Sequence, residues 1–288
     1  MESMCKNESN QAKKESGGQR MSKMRSALIV GATGLVGSEL VRLICESKEY
    51  VSVTALTRRP LLYSHEKLTT YEVNFDEISE RDVQFVDDVF CCLGTTRKKA
   101  GSREAFEKVD VEYPLRIAAL AKNEGVAHFI VISAMGANEK SFAYYNRVKG
   151  KLEQQLEVLD FPRLSIVRPS LLVGKRPELR LGEKSGEVAL KIAKPLLVGP
   201  LKRYRSIEAR QVAEAMLYIA LYGQNQKVAI YGSQQLASIK LPVEEQINHC
   251  SPFNWRKLKD EEVAPLDEEI IFNKEKLKKF EVDDSSRK

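Results

Sequence analysis

A tyrosine and a lysine four positions apart are the residues of this chain best suited to acid–base chemistry. Tyr145 and Lys149 share one face of a predicted helix, because side chains at positions i and i+4 are neighbours on a helix. A nearby ammonium can lower the pKa of a phenol, which starts near about 10. Such a phenol can exchange a proton with a carbonyl or an alcohol near neutral pH. Ser133 ends a predicted strand and can hydrogen-bond the same carbonyl.

The same spacing occurs a second time, at Tyr63 and Lys67. Tyr63 follows the second predicted strand in a loop interrupted by turn residues, whereas Tyr145 lies on the helix after the fifth strand. We therefore place the proton donor at Tyr145, and the alternative that Tyr145 is purely structural stays open. Tyr144 is adjacent on that helix and points to a different face, so it is predicted to pack.

Three glycines with the spacing G-x-x-G-x-x-G predict a phosphate-binding turn. They follow the apolar run 27–30 and precede a helix-like segment. Glycine permits a tight turn, close approach to a pyrophosphate and close helix packing, and the helix N-terminus offers free N–H groups to the phosphates. The residues predicted to contact the cofactor here are Gly31, Thr33, Gly34, Leu35, Val36 and Gly37.

The end of the second predicted strand indicates which cofactor is bound. An Asp or Glu at this position would select NAD through the ribose 2′-hydroxyl. The chain instead has Arg58 and Arg59, and a guanidinium pairs well with a 2′-phosphate. The sequence therefore predicts NADP(H), with two exposed loop arginines of no special role as the alternative.

Apolar runs alternate with helical patterns over most of the chain, which predicts an α/β fold with a doubly wound parallel sheet of the Rossmann type. Predicted strands are 27–30, 51–56, 70–73, 88–93, 128–133 and 164–168, with an edge strand at 227–231. Predicted helices are 34–47, 103–123, 142–159, 187–197 and 208–222, with a short helix at 273–280.

The composition along the chain predicts four regions. Residues 1–25 have the composition of a disordered leader, and residues 26–170 form the NADP-binding Rossmann core. Residues 171–240, punctuated by Gly and Pro, form a small C-terminal substrate lobe that completes the domain. Residues 241–288 are a charged C-terminal extension.

Composition also argues against several other classes of protein. The net charge of +6 comes from separate basic clusters rather than a continuous stripe, which argues against nucleic-acid binding. No apolar run approaches the roughly 20 residues of a transmembrane helix. Five cysteines without a C-x-x-C pair and three scattered histidines predict reduced thiols, no metal site and a cytoplasmic location.

One segment carries a resemblance to a known family. The run FCCLGTTRKKAG at 90–101 resembles the motif after the fourth strand in oxidoreductases of the HIV-Tat-interacting-protein type, which are atypical short-chain dehydrogenases/reductases. The resemblance covers roughly residues 26–235. Further matches are GATGLVG at 31–37, Arg58-Arg59, Val109-Asp110 with Tyr113, VISAMGA at 131–137, YNRVKG at 145–150 and Val167-Arg168-Pro169.

The resemblance implies a Rossmann fold that binds NADPH, with Ser133, Tyr145 and Lys149 in the reductase triad positions. It implies that Gly94-Thr95 lines the cofactor groove and that Pro169-Ser170 touches the nicotinamide end. Fungal members associate with the mitochondrial outer membrane, so peripheral attachment there is a second possible location.

The site residues and the family resemblance lead to two alternative functions. The first is an NADP(H)-dependent reductase of a small-molecule carbonyl substrate, with Tyr145 as general acid and Lys149 also holding the cofactor ribose. The alternative is a non-catalytic NADPH sensor that acts through protein partners, as some members of the family resemble regulators.

Overall fold

A seven-stranded parallel sheet organises the part of the chain that the structure, a computed structural model, describes: residues 24–174 and 204–242. Its strand order is β3-β2-β1-β4-β5-β6-β9, and β7 pairs separately with β8. The strands are β1 (Arg25–Val30), β2 (Tyr50–Thr57), β3 (Leu68–Glu72), β4 (Asp88–Cys91), β5 (His128–Ile132), β6 (Arg163–Arg168), β7 (Leu172–Val173), β8 (Ile207–Glu208) and β9 (Val228–Gly232).

Helices cover both faces of this sheet. They are α1 (Leu35–Glu46), α2 (Arg97–Ala100), α3 (Arg103–Glu107), α4 (Tyr113–Asn123), α5 (Tyr144–Val158), α6 (Ala209–Tyr222) and α7 (Ser233–Ser238). A 3₁₀ turn spans Glu80–Asp82, and a π-helical segment, Lys108–Glu112, joins α3 to α4.

Alternate residues of β1 point into two separate cores, which is why its apolar run is continuous. Ala27 and Ile29 pack with α1 and α6 on one face of the sheet. Leu28 and Val30 pack with α4 and α5 on the other face. All four side chains are buried, as expected of a central parallel strand covered on both sides.

The structure confirms the predicted Rossmann sheet and its strands, including the edge strand now seen as β9. The predicted helix 103–123 differs, because the π segment interrupts it. The basic run 97–99, for which no helix was predicted, forms α2, whose N-cap Thr96 accepts a hydrogen bond from the backbone N–H of Lys99. The predicted helices 187–197 and 273–280, the leader before residue 24 and the extension after residue 242 lie outside the described residues.

The strand order reverses direction between β1 and β4, and this is where ligands bind in open α/β sheets. The loops that follow β1, β2, β4, β5 and β6 all leave the same edge of the sheet, because the strands are parallel. Every predicted site residue lies in one of these loops or at the start of the helix that follows it.

A buried polar cluster occupies the opposite edge, where the strands begin. Asp88 forms an ion pair with Arg25 and accepts a hydrogen bond from the Tyr50 hydroxyl at 2.7 Å. His128 Nε2 lies 2.8 Å from Ser165 Oγ. Burial raises the pKa of Asp88 to about 6, although Arg25 opposes this, and burial lowers the pKa of His128 to about 3.

Candidate active site

The glycine turn after β1 is a place where three backbone segments touch. Gly31 has a φ of +85°, and a Cβ there would lie 2.7 Å from the carbonyl carbon and oxygen of Cys92. A Cβ on Gly37 would lie 2.2 Å from the Gly31 carbonyl oxygen. The first and third glycines are therefore required by packing of α1 on the turn and of the turn on the end of β4. Gly34 has more room, because a Cβ there would meet its nearest atom at 3.0 Å.

The N-terminus of α1 suits a negatively charged group. Gly34 is its N-cap, no side chain caps the helix, and its first turn contains no acidic residue. Thr33 and Gly34 are exposed, while Val36 is buried against the sheet. Free N–H groups and the positive end of the helix dipole therefore face outward at the turn, as a pyrophosphate requires.

Arg58 and Arg59 follow β2, directly beside the strand that carries the glycine turn. Both side chains are exposed, and no acidic residue accompanies them at the strand end. The position where an acid would select NAD therefore presents cations.

Lys149 is buried and paired with a carboxylate that the sequence reasoning did not assign to the site. It is 2% exposed, and its Nζ lies 2.8 Å from Oδ1 of Asp110, which is 1% exposed. The other oxygen of Asp110, Oδ2, accepts a hydrogen bond of 2.8 Å from the backbone N–H of Thr95. One carboxylate thus connects the lysine to the Gly94-Thr95 loop after β4.

The Asp110 carboxylate also determines the charge state of Lys149. Burial lowers the pKa of this lysine, but Asp110 and, less strongly, Tyr145 outweigh burial and raise it. Lys149 is therefore protonated at neutral pH. A signal for Asp110 did exist in the sequence, since it is an acidic residue between two valines within a predicted amphipathic helix.

Tyr145 is 44% exposed, and the charges of Lys149 and Asp110 both act on its phenol. Burial of the ring raises the pKa of Tyr145, Lys149 lowers it and Asp110 raises it, so that the pKa is raised overall. The expected lowering by Lys149 is present, but it does not prevail. The phenol is protonated at neutral pH in this structure.

Ser133 follows β5 and has a buried hydroxyl. The residue is 3% exposed, and among the described residues its Oγ has no hydrogen-bond partner. Its backbone N–H donates to the Val167 carbonyl at 2.8 Å, which ties it to β6, and Pro169 is buried in the loop after β6. A buried hydroxyl without a protein partner is rare and marks a place for a polar ligand atom.

Tyr144 and Tyr63, the two tyrosines weighed against Tyr145, make different contacts. Tyr144 donates a hydrogen bond of 2.9 Å to Glu107 Oε1, and its ring packs against the core on the α4–α5 face, as predicted. Tyr63 lies in the loop between β2 and β3, where its spacing to Lys67 is not helical. Lys67 donates instead to the Ser47 carbonyl at 2.8 Å, and burial raises the pKa of Tyr63 to about 12.

The position of α5 is fixed from two sides, which sequence reasoning did not foresee. A Cβ on Gly150 would lie 2.2 Å from the backbone nitrogen of Glu139, so the helix is pressed against the loop after β5. Glu153, buried one turn after Lys149, forms a two-point ion pair with Arg168 of β6. These contacts hold Tyr145 and Lys149 in place relative to the sheet edge.

Sequence comparison relates this chain to a family of known proteins. A family model described as NAD(P)H-binding matches residues 31–220. The chain belongs to this family, as an atypical short-chain dehydrogenase/reductase. The rat protein HTATIP2 is 40% identical over 164 residues, which cover 55% of this chain and 67% of the rat protein. The Candida albicans protein FMP52, named as mitochondrial, is 35% identical over 226 residues, covering 74% of this chain and 97% of the relative.

Solved structures show the same fold. MoeE5 in complex with UDP-glucose and NAD superposes with a TM-score of 0.55 at 15% identity, covering 74% of this chain and 80% of that one. UDP-glucuronic acid 4-epimerase from Bacillus cereus in complex with NAD gives a TM-score of 0.54 at 14% identity, covering 73% and 78%. At this identity the likeness concerns the fold alone.

The comparisons correct the predicted location. The cytoplasmic location expected from the sequence is wrong, because several relatives at 32–38% identity are named as mitochondrial proteins and point to mitochondria instead. The described part of the chain contains no helix long and apolar enough to cross a membrane.

Proposed function

We propose that this NAD(P)H-binding protein is an NADP(H)-dependent oxidoreductase that reduces a carbonyl substrate, with Tyr145 as the proton donor. The observation that carries the proposal is the grouping of a partly exposed phenol, a buried ammonium and a buried unpartnered hydroxyl at the sheet edge that also holds the glycine turn. Carbonyl reduction needs a proton donor and an orienting group beside the cofactor.

Each of the three side chains has a separate task in this proposal. The Ser133 hydroxyl donates a hydrogen bond to the substrate carbonyl and fixes its direction. Tyr145 donates its phenolic proton to the same oxygen as negative charge develops there, and Lys149 stabilises the tyrosinate left behind. The bound nicotinamide supplies the hydride.

The cofactor is held by backbone groups and by cations. Amides of the turn Gly31–Gly37 would hold the pyrophosphate, Gly94 and Thr95 would line the groove, and Pro169 would border the nicotinamide end. Lys149, which is paired with Asp110, would hold the ribose hydroxyls with its N–H donors. Arg58 and Arg59 select NADP(H) by pairing with the 2′-phosphate.

The test is turnover of a panel of aldehydes and ketones with NADPH, comparing Tyr145→Phe with Tyr63→Phe. Tyr145→Phe should lower turnover about 10²–10⁴-fold and leave NADPH affinity nearly unchanged, because the hydroxyl acts on the substrate. Tyr63→Phe has the same chemical change and the same sequence spacing to a lysine, and it should alter neither quantity.

Two results would refute the reductase. One is equal turnover in the Tyr145→Phe variant and the wild type. The other is tight NADPH binding without turnover of any carbonyl in the panel, which would favour an NADPH sensor acting through protein partners.

A further inference from the structure

Asp110 contacts residues of the candidate site with its whole carboxylate, which suggests a role beyond stabilising the fold. Both of its oxygens are engaged within the candidate site, Oδ1 with the Lys149 ammonium at 2.8 Å and Oδ2 with the Thr95 amide at 2.8 Å. The residue is 1% exposed. A carboxylate buried this deeply is costly unless it is paired and hydrogen-bonded, and here both needs are met by site residues.

Irregular helix geometry accompanies this placement. Asp110 lies in the π segment Lys108–Glu112, between two α-helical segments. π segments are rare and occur frequently at functional sites, because the wider turn changes the direction of side chains. Asp110 and Val111 are the two buried residues of the segment, and Val111 packs in the core on the α4–α5 face of the sheet.

We propose that Asp110 is a positioning residue that neutralises Lys149 and keeps Tyr145 in its protonated form, the form from which the site donates a proton to a carbonyl. This inference rests on the proposed function, since it concerns the proton donor of that reaction.

The charges around Tyr145 support the proposal. Within the described residues, the charged groups that act on its phenol are Lys149 from its own helix and Asp110 from the π segment. The ring of Phe106, with its centroid 6.0 Å away, is uncharged. Lys149 also faces Cys91 of β4, but burial raises the pKa of that thiol to about 11, so it is neutral. The phenol therefore lies beside an ion pair, in which the carboxylate offsets the effect of the ammonium.

An aspartate fits this position and an asparagine does not. Lys149 and the Thr95 amide are both donors, so the residue between them must accept at both ends. An amide accepts at one end only, and Asp110→Asn would also leave a buried ammonium without its counter-ion. The ammonium would then act on Tyr145 without opposition and favour the tyrosinate.

The experiment is an ultraviolet pH titration of tyrosinate in the cofactor-free protein. Each form is measured against its own Tyr145→Phe counterpart, so that the signals of the remaining tyrosines among the ten in the chain cancel. In Asp110→Asn the Tyr145 titration should move to lower pH, with at least about tenfold more tyrosinate at a given pH below the midpoint. Asp110→Glu, which keeps the charge, should titrate near the wild type. An unchanged titration in Asp110→Asn would overturn the proposal.

A second variant covers the case in which Asp110→Asn does not fold. Asp110→Asn combined with Lys149→Gln removes both charges and leaves no unpaired ion. If Asp110 neutralises Lys149, Tyr145 should titrate close to its wild-type position in this double variant. Tyrosinate forming only at clearly higher pH would show that the ammonium dominates in the wild type, and the proposal would fail.

The titration needs neither cofactor nor substrate, so it separates this inference from the proposed function. Where turnover is measurable, Asp110→Asn should also shift the high-pH decline of carbonyl reduction to lower pH, whereas a merely structural role would lower the rate equally at every pH. A shifted titration without any carbonyl turnover would refute the reductase and retain Asp110 as the residue that keeps Tyr145 protonated.

Discussion

The substitution Gly37→Ala tests whether the glycine turn is held by packing. Alanine in a helix is favoured over glycine by up to about 1 kcal/mol, and Gly37 lies in the first turn of α1. The added Cβ would, however, lie 2.2 Å from the Gly31 carbonyl oxygen. Gly31 cannot retreat, because it already lies directly against the Cys92 backbone.

The clash involves main-chain atoms on both sides, so no side-chain rotation relieves it. The helix must move away from the turn by more than about 1 Å, and overpacking of this kind typically costs about 1–3 kcal/mol. A main-chain contact of 2.2 Å is severe, so we take the upper end of this range, about 3 kcal/mol. After subtraction of the helix-propensity gain of about 1 kcal/mol, we expect a net loss of about 2 kcal/mol in the free energy of unfolding.

Urea denaturation followed by circular dichroism measures this loss, with Gly34→Ala as the matched control. A Cβ on Gly34 lies 3.0 Å from the same Gly31 oxygen, and a displacement of a few tenths of an ångström accommodates it. That variant should lose less than about 1 kcal/mol but bind NADPH more weakly, because its methyl group enters the space at the helix N-terminus. A Gly37→Ala variant as stable as the wild type would show that the proposed backbone stack does not constrain the turn.

Two further predictions concern cofactor choice and pH. Replacing Arg58 and Arg59 together by alanine should reduce NADPH affinity, because a charge-assisted contact worth about 1.5–3 kcal/mol is lost. Calorimetric titrations should show NADH affinity nearly unchanged. Equal losses of affinity for both cofactors would contradict 2′-phosphate recognition. The pKa of His128 is lowered by burial from 6.5 to about 3, so the stability that its neutral form provides is present above pH 6.5 and is lost as the pH falls toward 3. In urea denaturation, His128→Gln should therefore gain about 2 kcal/mol relative to the wild type between pH 7 and pH 5. A constant difference between the two proteins would show that His128 is not buried in its neutral form.

Local features of the sequence were sufficient to predict the sheet. Strands such as β1 and β5 are covered on both faces, so they appear as continuous apolar runs bounded by turn residues. The glycine spacing and the Tyr145–Lys149 spacing are equally local, since each is defined within one turn and one helix. These patterns are readable because a short segment determines them.

The features that sequence reasoning missed depend on contacts between distant segments. The Lys149–Asp110 pair joins two different helical segments, and helical periodicity cannot show which acidic residue of one segment meets a cation of another. The close packing of Gly150 on Glu139 depends on the path of the loop after β5. Helix α2 has only four residues, too few for a periodic pattern, and its local signals are the N-cap Thr96 and the C-cap Gly101, whose φ is +83°.

The π segment also constrains how the length of this chain can vary. A π turn accommodates one more residue than an α turn, so deletion of one residue within 108–112 would allow a continuous α-helix from Arg103 to Asn123. The turns on either side would keep their faces, because an α turn completes the same rotation with one residue fewer. Ile117 and Ala118 would then stay in the core, and the residue lost would come from the segment that carries Asp110. Among related chains, a one-residue alignment gap within 108–112 therefore marks a helix that passes this point without the wider turn that holds Asp110 here.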